Sequence, residues 1–178
     1  SVPTGTTLYK FSTEDNNTST RDVTVKIGAP ATIYRVDVEW ESTSFTFKFN
    51  GAWSPETHKY GTEGTGNFYA GTDLENSKNY AKITVTNHSN AGVKAKFVYT
   101  PETSTNGFSA ALYTTSTKDT QKSTDASALA SADLGDSLGN PDKAPNDVAY
   151  LVVGGAPEKL TVTDAIKIGT ITITINKN

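Results

Sequence analysis

The chain has 178 residues, a net charge of −3 and neither cysteine nor methionine. That length suits one domain with a core that needs no staples, and the missing thiols exclude disulfides, cysteine nucleophiles and thiolate metal sites. Scattered Lys and Arg leave no basic stripe for nucleic acid, and no apolar run reaches the roughly 18 residues of a membrane span. Abundant Thr, 10% aromatic residues and 14 glycines describe a polar, β-rich chain. The opening Ser1-Val2-Pro3-Thr4 reads as an N-terminus left after removal of a secretion signal.

A strand sends successive side chains to opposite faces. In residues 6–12 Tyr9 and Phe11 share one face and Leu8 takes the other, and the polar residues 13–20 follow as a loop. A short strand on a polar tether is the layout needed for donating a strand to a neighbouring molecule. Burying its apolar side chains gives ~1.5–3 kcal/mol each, against ~1–2 kcal/mol of backbone entropy per residue ordered. Those terms nearly cancel, so ladder hydrogen bonds at about 1 kcal/mol each decide the outcome.

Val23, Val25 and Ile27 alternate cleanly and predict a strand, as does 32–40, with Tyr34, Val36, Val38 and Trp40 on one face and Arg35, Asp37 and Glu39 on the other. Phe45, Phe47 and Phe49 read as the densest part of the core. Asn50-Gly51 signals a tight hairpin turn that returns through Trp53. Residues 61–79 are Gly-rich and loop-like, with a short strand at 67–70.

The stretch 80–101 reads as strand, turn, strand. Ile83 and Val85 alternate with Lys82, Thr84 and Thr86, and Val93, Ala95 and Phe97 alternate with Lys94 and Lys96. The connection 87–92 is made of turn-forming residues, so a hairpin feeding one core is expected, with the rest of the chain packed around it. Residues 108–113 predict a further strand. Residues 124–134 carry an N-cap candidate, an Ala-rich body and a closing Gly135, which predicts a short helix. Strands resume at 148–153, 159–163 and 166–175, the last with Ile171, Ile173 and Ile175 alternating with threonines.

Two pieces, ITVTNHSNAGVKAKFVYTP (83–101) and FKFNGAWSPETHKY (47–60), resemble secreted β-sandwich domains from surface and fibre proteins of Gram-positive bacteria. The closing IGTITITI is similar to their final strand. The resemblance implies a fold and an extracellular, cell-surface location rather than an activity.

No catalytic or cofactor signature is present. His58 and His88 lie in separate turns with no neighbouring ligands for zinc, and there is no Gly-x-Ser-x-Gly elbow. Asp133, Asp136, Asn140 and Asp142 could offer oxygens to Ca²⁺ but lack an EF-hand spacing, so no metal or other cofactor is expected. Trp53, Tyr60 and Tyr69 are the candidates for a sugar-stacking surface, with Trp40 and Phe68 beside them in type. Asn16, Asn17 and Asn87 fall in Asn-x-Ser/Thr sequons.

These readings converge on an all-β, antiparallel β-sandwich, Ig-like or jelly-roll-like, of about nine or ten strands in a single domain 1–178. The expected function is that of a non-catalytic structural subunit of an extracellular bacterial fibre, pilus or matrix. Its copies would pair with one another by strand donation, residues 1–13 (Leu8, Tyr9, Phe11) supplying the donor and Ile171, Ile173 and Ile175 the acceptor edge. The alternative is a monomeric carbohydrate-binding or adhesin module that binds a host or cell-wall glycan through Trp53, Tyr60 and Tyr69.

Overall fold

The computed structural model describes residues 20–61, 66–160 and 164–178. The chain divides into two units, Ser1–Ala31 and Thr32–Asn178. In the first, the described residues 20–31 have no regular secondary structure. Val23, Val25 and Ile27 are 87–92% exposed there, so the strand expected from their alternation is not formed. Alternation gives a segment the capacity to pair, but an edge must be present for the pairing to occur. The donor residues Leu8, Tyr9 and Phe11 lie outside the described residues.

The second unit is all-β and antiparallel, with eleven strands among the described residues. In chain order they are β1 (Val36–Trp40), β2 (Phe45–Phe49), β3 (Trp53–Ser54), β4 (Lys59–Tyr60), β5 (Gly66–Ala70) and β6 (Tyr80–Asn87). There follow β7 (Val93–Pro101), β8 (Phe108–Tyr113), β9 (Ser127–Leu129), β10 (Asn146–Gly155) and β11 (Gly169–Lys177). One sheet runs β1-β6-β10-β8 and a second β11-β7-β9, with β2-β5 and β3-β4 as separate pairs.

The core lies between the two larger sheets. Ala81, Ile83 and Val85 of β6 and Ala149 and Leu151 of β10 meet Val93, Ala95 and Phe97 of β7 and Leu129 of β9, all buried. Each row comes from alternate positions of its strand, as the pleat requires.

The expected hairpin at 80–101 is corrected. Both strands exist and both send apolar rows into one core, but β6 and β7 belong to different sheets. The connection is an arch across the sandwich. Alternation fixes which face of a strand is buried, yet two rows that face each other across a core look in sequence like two rows standing side by side. The arch is held from inside by two fully buried polar residues, Asn87 and Ser89. The Asn87 amide donates to the carbonyls of Ala91 (2.9 Å) and Ala130 (2.8 Å) and accepts from the Ser89 N–H (3.0 Å). The Ser89 hydroxyl accepts from the Arg35 N–H (2.9 Å) and donates to the Arg35 carbonyl (3.2 Å).

Four further expectations change. Phe45, Phe47 and Phe49 are half-buried rather than central, and β2 pairs with β5 instead of turning at Asn50-Gly51. Neither residue adopts the positive φ of a tight hairpin turn, whereas His58 does, at 53°, in the β3–β4 hairpin. In place of the helix at 124–134 there is β9, which pairs with β7 and sets Leu129 opposite Val93 in the core. An isolated helix of that length is marginal, and a core position for Leu129 outweighs its propensity. Finally, Lys159 and Leu160 form no strand, and the rest of 159–163 lies outside the described residues.

Candidate assembly edge

β11 is the outermost strand of its sheet. It pairs with β7 over nine residues, from Gly169↔Pro101 to Lys177↔Val93, and no strand pairs with its other side among the described residues. Ile171, Ile173 and Ile175 are half-buried against the core and Thr170, Thr172 and Thr174 are exposed. From Gly169 to Ile175 the strand contains no charge and no proline. Proteins blunt long edges with charges, prolines or cover because the row of unpaired N–H and C=O groups is a template for another strand. Over those seven residues β11 carries none of these devices in its own sequence.

The other outer strands of the two larger sheets are guarded. β1 carries Asp37, bridged to Arg35 at 3.1 Å and 3.4 Å from His88 Nε2. Just beyond its end Glu41 accepts from Lys78 Nζ (2.7 Å) and from the Lys82 N–H (2.9 Å). Those two hydrogen bonds, the lysine's first, hold the Glu41 carboxyl below its ordinary value despite slight burial. β8 is partly covered by the bridge from Tyr113 to Gln121, and β9 is three residues long.

A groove opens beside the start of β11. Its first part, about 390 Å³, is lined by Trp40, Phe45, Tyr99, Leu151, Ile168 and Ile171 among others. It continues into a wider part of about 740 Å³ along Phe47, Phe68 and Phe108, whose rings pack edge-on or tilted with centroids 5.1–5.8 Å apart. Tyr99 spans the wall and its hydroxyl donates to the Ile168 carbonyl (2.8 Å). Burial, and then the Glu102 carboxylate, push that hydroxyl's pKa upward. In sequence Tyr99 reads only as the last member of the alternating row Val93, Ala95, Phe97 and Tyr99, and nothing marks Gly169. A Cβ at Gly169 would run into the Tyr99 ring, a close approach between residues 70 apart that no local pattern announces.

Of the aromatic candidates, Trp53 and Tyr60 are not coplanar. Trp53 is 52% exposed and Tyr60 38%, but their rings meet edge-on at 64°, and the Trp53 ring is parallel to that of His58. Tyr69 sits on β5 beneath Lys48 Nζ, 4.6 Å from its centroid. Asp136 and Asp142 fall in two short 3-10 turns, Gly135–Ser137 and Pro141–Lys143. Among the described residues no group of three or more acidic or histidine side chains is placed to hold a metal ion. No helix among them is long and apolar enough to cross a membrane. The sequon at Asn87 is closed, because its amide is buried and engaged on both atoms. No family model, curated protein or solved structure matches the chain.

Proposed function

We propose that this protein is a non-catalytic structural subunit of an extracellular bacterial fibre, and that its copies join by strand addition at β11. The observation that carries the reading is the unguarded run from Gly169 to Ile175, where the other outer strands of the two larger sheets are short, charged or partly covered. Nine residues of ladder on one side leave a comparable row of backbone groups for a donated strand on the other. The hydrogen bonds of that row would supply the surplus over ordering entropy. The donor is the N-terminal arm, through Leu8, Tyr9 and Phe11.

Deleting residues 1–13 tests the proposal. The truncated chain should fold as a monomer and show no filaments by negative-stain microscopy under conditions where the full chain assembles. Filaments of unchanged length and number from the truncated chain refute the donor assignment.

A further inference from the structure

β10 places Asp147, Ala149, Leu151 and Val153 on one face. Ala149, Leu151 and Val153 are buried and belong to the inward row. Asp147 thus puts a carboxylate at a core position, opposite Val85, which has no exposed surface. Lys122 reaches it from the segment that folds back along β8, where the Lys122 N–H donates to the Leu112 carbonyl (2.9 Å). Its Nζ contacts Asp147 Oδ1 and lies 5.0 Å from the centroid of the buried Phe97 ring. The two side chains are 10% and 16% exposed.

As a salt bridge this pair is poorly provided for. Removing two ions from water costs several kcal/mol each unless their remaining donors and acceptors are satisfied. Asp147 Oδ1 has Lys122 and the Val148 N–H (2.9 Å), but the buried Oδ2 has no hydrogen-bond partner among the described residues. The arrangement is better suited to a reaction that removes both charges: an amine held against a carboxyl group, with an aromatic ring beside it and little water.

We propose that Lys122 and Asp147 condense into an intramolecular amide. Transfer of one proton from the ammonium to the carboxylate leaves a neutral amine and a neutral acid. The nitrogen lone pair attacks Cγ, forming the Nζ–Cγ bond and a tetrahedral centre. The Cγ–O bond to the protonated oxygen then breaks, and the departing hydroxyl takes a nitrogen proton and leaves as water. One N–C bond replaces one C–O bond, one water is released, and no oxidant or further reactant is required. The product closes residues 122–147, which include β9 and both 3-10 turns, into a covalent loop in a chain that has no cysteine to make one. This inference does not depend on the assembly proposal.

Intact-mass spectrometry of the purified chain in denaturant should find it lighter than its sequence by one water. Proteolysis should yield a branched peptide joining Lys122 to Asp147. Lys122→Arg keeps the charge pair but should restore the full mass, and Asp147→Ala should do the same. Both measurements are made on unfolded protein, so a variant that folds poorly still reports. A wild-type mass equal to that of the linear chain calculated from its sequence, with no water lost, overturns the proposal, and so does a water loss that persists in Lys122→Arg.

Discussion

Asn87 makes three hydrogen bonds with no surface in contact with solvent. Replacing it with alanine strands two carbonyls and one N–H inside the arch, and an unsatisfied buried group costs ~1–3 kcal/mol. Asn87→Ala should therefore lower unfolding stability by about 3 kcal/mol, read as a fall in the denaturant midpoint at unchanged slope. Asn87→Asp should be no milder, since it turns the amide donor toward two carbonyl oxygens as an acceptor. Glu41 gives a pH dependence of known sign. Its folded pKa is lowered, so its contribution is complete above the ordinary glutamate pKa and is lost as pH falls through the lowered value. The pair with Lys78 is partly exposed and screened, so the effect is small. An acid titration of stability should show a shallower slope in Glu41→Gln than in the parent chain, and equal slopes would show that the clasp does not matter. In sequence Asn87 could be read as a turn former or a sequon but not as the anchor of the arch, because its carbonyl partner at Ala130 is 43 residues away.

The arch and the edge strand set the behaviour at the next scale. β6 and β7 were legible as strands with the correct buried faces, since a period of two is a local property of Ile83, Val85, Val93 and Phe97. Their assignment to separate sheets was not legible, because it depends on what lies opposite them. The same limit explains β2, whose partner is β5 across the Gly-rich stretch rather than Trp53 across Asn50-Gly51. For β11, a charge on the exposed row should act as a guard. Thr172→Lys together with Thr174→Lys should abolish filament formation while moving stability by no more than about 0.5 kcal/mol, as is usual for exposed positions. Normal filaments from this variant would remove β11 from the interface. Loss of filaments together with loss of the folded state would be recognised by circular dichroism and set aside in favour of Thr172→Lys alone.

At the scale of the whole molecule, the two sheets enclose one core, and the β3–β4 pair carries two exposed aromatics, Trp53 and Tyr60. The tilted Trp53 and Tyr60 rings argue against a planar sugar platform. Titration with soluble oligosaccharides should leave tryptophan fluorescence unchanged, whereas saturable quenching that disappears in Trp53→Ala would favour the glycan-binding alternative over assembly. By itself the sequence determined the all-β class, most strand positions and the inward faces of β6, β7 and β11, because pleat periodicity and turn chemistry act over a few residues. Only the tertiary structure decided that 80–101 is an arch, that Leu129 belongs to a strand, and that Lys122 meets Asp147 beside Phe97. Each of those depends on groups distant along the chain competing for the same interior, and desolvation inside a shared core is settled by all of them at once.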